Sequence, residues 1–192
     1  MAEKDDWRRR RWDTTHQRIS AVALALFQEH GFEQVSVGQI ASGAGISVPT
    51  FYAHYPSKEH VIMRLPTAHD FAALMAGQPI ELPVDERIRR AVPQWLATWS
   101  PEFREDALAR WRVIAASPAL RNRAAEFERA SGELVADALP TETGRSRPPG
   151  DAIVVNAYMS AYTAALLAWA EGEGEIELEK LMETAFDALR GH

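Results

Sequence analysis

Cysteine is absent from the 192-residue sequence, which excludes disulfide bonds and thiolate metal sites. The six histidines show no metal-ligand spacing of the HExxH kind, and no serine nucleophile elbow or phosphate-binding P-loop occurs. No apolar run approaches the roughly 18–20 residues of a membrane span, and the N-terminus is charged where a signal peptide is apolar. These absences predict a cytoplasmic protein that does not enter a membrane, is not an enzyme, and carries no metal or cofactor.

Acidic residues outnumber basic ones, but the two charges are unevenly distributed along the chain. The 27 Asp and Glu against 21 Lys and Arg give a formal net charge of -6, which argues against a nucleic-acid partner. Residues 1–64 hold eight basic and seven acidic side chains, which leaves 13 basic and 20 acidic ones for residues 65–192. The front third is therefore the only part of the chain that DNA would not repel.

Four consecutive arginines dominate the first twelve residues, between Trp7 and Trp12. Residues 1–12 are otherwise polar and cannot pack a core by themselves, so we predict a flexible basic arm. Two interpretations remain open: an arm that follows the DNA backbone or enters the minor groove, and a solvated tail. DNA contact is favoured, because each phosphate that the arm neutralises releases counterions.

Residues 13–65 are predicted to form a three-helix head. Apolar residues recur at helical spacing over residues 14–30, as on one face of an amphipathic helix. Ser36 can cap a second helix with Gln39 completing a capping box, and Ser47 can cap a third that has Pro49 in its first turn. Two short helices joined by a glycine turn are typical of a helix-turn-helix, whose second helix lies in the DNA major groove.

Residues 66–192 are predicted to be all helix, because Ala, Leu, Arg and Glu dominate and no segment shows strand alternation. The last two helices combine small residues with an apolar stripe, and such a hairpin needs cover. We predict a four-helix bundle between two copies of the chain, although the hairpin could instead cover its own core. The predicted dimer interface comprises Ala157, Ala161, Ala164, Leu178, Leu181, Met182, Ala185, Phe186 and Leu189.

Residues 18–62, RISAVALALFQEHGFEQVSVGQIASGAGISVPTFYAHYPSKEHVI, resemble the N-terminal domain of the TetR family of transcriptional repressors. The resemblance covers residue 19 to about residue 64, and the rest of the chain is similar to the family only in its helical plan. The features that carry it are F-x-x-x-G-F at 27–32, S-V-x-x-I-A at 36–41, A-G-I-S at 44–47, F-Y at 51–52, H-Y at 54–55 and S-K-E at 57–59.

The resemblance implies an all-α homodimer of about nine helices per subunit, with an operator-binding head and a larger effector-binding and dimerisation body. Its recognition helix would turn hydroxyls toward the DNA, while Val48 and Pro49 offer an apolar surface suited to a thymine methyl group. Phe51 and Tyr55 are expected in the core. The predicted DNA-binding residues are Arg8, Arg9, Arg10, Arg11, Ser47, Val48, Pro49, Thr50, Tyr52, His54 and Lys58, the last two on phosphates.

A body of this kind would hold its effector between the middle helices, and an aromatic lining would suit a mostly apolar molecule. Aromatic residues at helical spacing are as often plain core, so both interpretations stay open. The candidate ligand-binding residues are Phe71, Met75, Trp95, Trp99, Phe103, Trp111, Phe127, Tyr158 and Tyr162, with Arg112 and Asn156 as further polar contacts.

The sequence therefore predicts a ligand-responsive, DNA-binding transcriptional regulator. The resemblance favours a repressor that binds a palindromic operator as a homodimer and is released by a small, mostly apolar effector. The alternative is a helical scaffold that binds protein partners without DNA or ligand, but it would leave the arginine run and the serine-capped recognition helix without a purpose.

Overall fold

The computed structural model describes residues 2–63, 68–139 and 148–190, and these residues contain ten α-helices and no β-strand. The predicted all-α fold is confirmed. The chain divides into two compact units, a head, Met1–Arg64, and a body, Leu65–His192. This boundary lies one residue before the predicted one.

The head contains four α-helices and one 3₁₀ turn. Its core is formed by the apolar face of the first helix and by residues from the helix-turn-helix, among them Ile19, Phe27, Ile40 and Phe51, all of them at most 2% exposed. The elements are α1 (Ala2–His30), the 3₁₀ turn (Phe32–Gln34), α2 (Val37–Gly43), α3 (Val48–His54) and α4 (Lys58–Ile62).

The first twelve residues differ from the flexible arm that their composition predicts. Residues 2–12, here called the N-terminal extension, continue α1 as one uninterrupted helix. Arginine favours helix, and Arg10 forms an ion pair with Asp6 one turn earlier, at 2.5 Å. A polar segment needs no core of its own when it prolongs a helix that is already anchored, because helix propagation is much easier than nucleation.

Both predicted helix caps are confirmed. The Ser36 side chain accepts a hydrogen bond from the Gln39 backbone N–H, and the Gln39 side chain accepts one from the Ser36 N–H, at 3.2 and 2.8 Å. The Ser47 hydroxyl accepts from the Thr50 N–H at 3.2 Å. Gly45, at φ 64°, makes the turn between α2 and α3 in the left-handed region that glycine adopts without strain.

The body is organised around one long helix, α9, which packs against four others. The buried side chains of α9 include Val155, Tyr162 and Leu166, each at most 3% exposed. The helices of the body are α5 (Ala68–Ala76), α6 (Val84–Leu96), α7 (Pro101–Ala116), α8 (Pro118–Ala138), α9 (Pro149–Glu171) and α10 (Leu178–Ala188).

Helix α9 bears on the prediction that the protein does not enter a membrane. Its stretch Gly150–Glu171 is long and apolar enough to do so by length and composition. The stretch is not one continuous apolar run, because Asn156, Ser160 and Thr163 are interspersed in it. Half of the stretch is buried inside the body, as in the core helix of a soluble protein, so this is weak support for a membrane segment.

Three residues of the predicted dimer interface lie in the core of a single chain instead. Leu178, Met182 and Phe186 are 0%, 1% and 3% exposed, and the Phe186 ring packs edge-to-face on Tyr158 at 4.9 Å. They follow one another at four-residue spacing along α10 and form the side that faces α9. Side chains that are already covered add little to an interface between two chains, so the outward-facing residues of the prediction are the ones left for a partner.

Candidate nucleic-acid interface

The recognition helix α3 has one buried and one exposed side. Phe51 is fully buried in the head, as predicted, and Tyr55 just beyond the helix is 4% exposed. On the opposite side Val48 and Tyr52 are 40% and 53% exposed although both are large and largely apolar. Such residues are expected on a surface that contacts a partner.

The start of α3 presents two ordered hydroxyl groups. The hydroxyls of Ser47 and Thr50 lie 2.8 Å apart, and the Ser47 cap holds both of them at the exposed end of the helix. Ser47 and Pro49 are exposed and Thr50 is half-buried. Hydroxyl groups can bond to phosphates or base edges, so the chemistry at this helix end suits the reading of a DNA groove.

The arginines of the N-terminal extension do not all point the same way, because successive residues of a helix are turned by about 100°. Arg8 and Arg11 face the turn before α3, and so does Arg18, which lies about two turns after Arg11 on the same helix. Arg10 forms an ion pair with Asp6 instead. Arg9 is also absent from the described residues that line the groove on this side. The structure thus divides a set that the sequence could only treat as one cluster.

These arginines line a groove between α1 and the helix-turn-helix, here called the basic groove. Among the described residues that line it none is acidic, so its electrostatic potential favours an anion. The Arg11 guanidinium also lies 5.4 Å from the centre of the Trp7 ring, in cation–π contact. The residues that line the basic groove are Trp7, Arg8, Arg11, Trp12, Thr14, Thr15, Arg18, Gly45, Ile46, Pro49, Thr50, Ala53 and His54.

His54 is held in an aromatic stack that sequence reasoning missed. Its imidazole lies parallel to the Trp12 indole, with ring centres 3.7 Å apart and planes inclined by 24°. Burial lowers the pKa of His54 below its ordinary value of 6.5, so the ring is neutral at neutral pH in the free protein. A neutral imidazole offers a phosphate one N–H donor and no positive charge, which limits what His54 can contribute before DNA arrives.

A second stack supports the first. The His16 and Tyr55 rings lie 4.1 Å apart, and the Tyr55 hydroxyl donates a hydrogen bond to the His16 carbonyl at 3.1 Å. In each stack the two partner residues are far apart in the sequence, and no local sequence pattern links them. Only the packing of α1 across α3 brings these rings together.

Lys58 is engaged inside the head rather than extended toward solvent. Its ammonium group donates to the carbonyls of Phe32 and Val35 at 2.9 and 3.0 Å, and lies 4.2 Å from the centre of the Phe32 ring. An ammonium has three donors, and two of them are used to tie the first turn of α4 to the loop before α2. A phosphate contact by Lys58 stays a prediction, now joined by a structural role.

Replacing Lys58 by methionine is therefore expected to lower the free energy of unfolding of the head by about 1–3 kcal/mol, because the two carbonyls lose their donor while the aliphatic stem is kept. Urea denaturation of the full-length protein followed by circular dichroism measures this change. If Lys58 acted on phosphate alone, the unfolding midpoint would stay at the wild-type value and only DNA affinity would fall.

The candidate ligand-binding residues fall into several places in the body. Trp95, Trp99 and Phe103 form a row of edge-to-face ring pairs with centres 5.0 and 4.9 Å apart, and Tyr162 adjoins it at 6.1 Å. Phe103 ends this row at the surface, 44% exposed. Burial raises the pKa of Tyr162, so its hydroxyl stays protonated.

The remaining candidates do not join that row. Met75 and Trp111 are buried at 0% and 6% exposure, Tyr158 packs on α10, and half-buried Phe127 lies under the Arg123 guanidinium at 5.7 Å. The side chain of Phe71 lies outside the described part of the protein. The two further polar candidates have local partners: Arg112 donates to the Glu173 carbonyl and Asn156 to the Ala152 carbonyl.

Six residues of the predicted dimer interface retain exposed surface. They lie on the outward sides of α9 and α10, next to the buried stripe. Ala157, Ala161, Leu181 and Ala185 are half-buried, and Ala164 and Leu189 are exposed.

Comparison with known proteins bears on both units. Residues 19–65 match the sequence profile of bacterial regulatory proteins of the tetR family, and residues 82–192 match that of the MftR C-terminal domain. Among curated relatives, the HTH-type transcriptional regulator EthR of Mycolicibacterium smegmatis is 45% identical over 53 residues, which are 28% of this chain and 24% of EthR. MftR of Mycobacterium tuberculosis, named as a mycofactocin biosynthesis transcriptional regulator, is 48% identical over 52 residues, 27% of this chain and 26% of MftR.

The matching segments thus span about a quarter of the length of these curated relatives. Two solved structures resemble almost the whole chain in fold. NalD of Pseudomonas aeruginosa, the secondary repressor of the MexAB-OprM multidrug efflux pump, has a TM-score of 0.55 at 19% identity and covers 93% of this chain and 95% of its own. The fatty acid degradation regulator FadR of Bacillus halodurans has a TM-score of 0.53 at 18% identity, covering 92% and 95%.

The two profiles match successive parts of the chain, one in the head and one in the body, and the second alone covers more than half of the chain. The chain therefore belongs to the TetR family and is a DNA-binding transcriptional regulator rather than an enzyme.

Proposed function

We propose that this regulator is a cytoplasmic repressor that binds a palindromic operator as a homodimer and is released by a small, mostly apolar effector. Regulators of this family bind operator DNA, usually as dimers and with small-molecule ligands. The observation that carries the proposal is the exposed side of α3. Val48 and Tyr52 are exposed there, next to the hydroxyls of Ser47 and Thr50 at the start of the helix.

In this proposal, α3 enters the major groove and the basic groove takes the neighbouring sugar-phosphate backbone. Ser47, Thr50 and Tyr52 supply hydroxyls, and the Val48 and Pro49 side chains contact a thymine methyl group. Arg8, Arg11 and Arg18 add positive charge on the same side of the head. Counterion release then contributes affinity in proportion to the phosphates neutralised.

The proposed dimer uses the outward side of the α9–α10 hairpin. Small side chains at Ala157, Ala161 and Ala164 allow a second helix to approach closely. On the same side of α9, Ile153 is 73% exposed, and Leu189 at the end of α10 is 43% exposed. Exposed large apolar side chains next to a row of alanines are typical of an interface that a second copy of the chain covers.

The effector is proposed to bind in the body near the ring row of Trp95, Trp99 and Phe103. The Trp99 indole N–H is buried and has no hydrogen-bond partner among the described residues, so an acceptor on a ligand would satisfy it. The rings favour an apolar molecule with one such acceptor. Binding there would lower the affinity of the dimer for its operator.

A selection experiment tests the proposal as a whole. The full-length protein is incubated with a pool of random-sequence duplexes, and bound DNA is recovered and sequenced over several rounds. We expect enrichment of one palindrome, because a two-fold symmetric dimer presents two identical recognition helices. Recovery of no preferred sequence, or of a site without two-fold symmetry, would contradict the proposed mode of binding.

A further inference from the structure

The stack of Trp12 on His54 joins the N-terminal extension to the end of the recognition helix. The two rings lie nearly parallel at 3.7 Å, although Trp12 remains 47% exposed. The contact therefore lies on the surface of the head and not in its core. The stacked rings attract one another beyond the area that they bury, so the stack can hold a helix in place without a core beneath it.

Trp12 lies on the part of the α1 surface that also carries the arginines of the basic groove. Arg8 lies three residues before Arg11 and four before Trp12, so its neighbours along α1 on either edge of one side are Arg11 and Trp12, and all three line the basic groove. Arg18 continues this side toward the anchored part of α1. All of them line the basic groove beside Pro49 and Thr50, at the start of α3.

We infer that Trp12 is a positioning residue for DNA binding. Its stack on His54 holds the N-terminal extension beside the recognition helix, so that Arg8 and Arg11 meet the DNA backbone next to the half-site that α3 reads. This inference rests on the proposed function, since it takes α3 to be the element that enters the major groove.

The physical reason is the entropy of ordering. An isolated helical end without buried surface frays, and arginines on a frayed segment lose conformational freedom when they bind phosphate. A stack that keeps residues 8 and 11 in helical conformation reduces this loss before the DNA arrives. The two arginines then act as fixed phosphate contacts that release counterions with the rest of the interface.

The first test replaces Trp12 by alanine and measures DNA affinity against salt, by fluorescence anisotropy with the duplex enriched by the full-length protein. We expect the slope of log affinity against log salt concentration to become shallower by about two, one for each arginine released. Trp12→Phe keeps a ring that can stack and should restore most of the slope. A wild-type slope for Trp12→Ala would overturn the inference.

A double-mutant cycle with Arg11→Ala separates positioning from a direct contribution of Trp12. Alone, Arg11→Ala should reduce the slope by about one. In the Trp12→Ala background it should change nothing further, because Arg11 no longer holds its position. Equal effects in both backgrounds would contradict coupling. Replacing the exposed Arg129 on α8 by alanine removes the same charge from the body and should leave the slope unchanged.

A second variant keeps the test decisive if Trp12→Ala disturbs folding. Proline at position 13 breaks α1 between the extension and the head core while retaining every arginine and both tryptophans. Asp13→Pro should reproduce the shallower slope, with Asp13→Ala as its charge-matched control, and an unchanged slope for Asp13→Pro would overturn the inference. Failure of the wild type to enrich any duplex would instead refute the proposed function, so the two failures are distinguishable.

Discussion

Replacing Thr50 and Tyr52 together by alanine is expected to lower operator affinity by about 2–4 kcal/mol, which is roughly 30- to 700-fold. Tyr52 carries its hydroxyl on the exposed side of α3 and Thr50 carries one in the basic groove, and each lost contact to a base or phosphate costs about 1–2 kcal/mol. The backbone N–H of Thr50 keeps its cap from Ser47 in the variant. Fluorescence anisotropy with the enriched duplex measures the loss.

Two controls make this result interpretable. Thermal unfolding should match the wild type, because Tyr52 is 53% exposed and contributes little to the head core. Replacing Gln28 and Glu29 together by alanine should leave operator affinity unchanged. Both residues are exposed near the end of α1 and away from the basic groove. Unaltered affinity of the Thr50 and Tyr52 variant would show that another surface of the head contacts the DNA.

Introducing aspartate at both Leu181 and Leu189 is expected to convert the proposed dimer into soluble, folded monomers. Both side chains keep exposed surface in the single chain, so the change does not bury a charge until two copies associate. An unpaired charge buried at an interface weakens association by about 3–5 kcal/mol. Size-exclusion chromatography with light scattering measures the oligomeric state, and operator affinity should fall because one chain offers one recognition helix.

Lys180→Asp is the matched control for this variant. It changes the net charge by the same amount, and Lys180 lies on an exposed side of α10 away from Leu181 and Leu189. We expect it to remain a dimer. A dimer in both variants would contradict the proposed interface and direct attention to another surface of the body. Phe186 is unsuited to the test, because a charge at a position only 3% exposed would unfold the chain itself.

The features that were predicted correctly depend on interactions between residues close in sequence. Ser36 and Ser47 cap their helices through bonds to residues three positions later, so the spacing of the residue types is enough to identify them. The burial of Phe51 and Tyr55 follows from the apolar pattern of the same short segment. The family resemblance depends on the same local motifs.

Several contacts that the sequence did not indicate join residues far apart in the chain. Lys58 lies 26 residues from Phe32, and nothing around Lys58 in the sequence indicates that it donates to carbonyls there. The stack of Trp12 on His54 crosses from α1 to the end of α3 in the same way. An apolar stripe on α10 likewise does not reveal whether α9 or a second chain covers it.

The sequence by itself determined the helical class, the helix-turn-helix and its caps, because these depend on propensity, periodicity and hydrogen bonds within a few residues. The tertiary structure alone decided that Arg8 and Arg11 face the recognition helix and that α10 buries Leu178, Met182 and Phe186 within its own chain. The reason is that a helix fixes the directions of its side chains relative to one another, whereas the packing of distant helices decides which of those directions is covered and which is left to a partner.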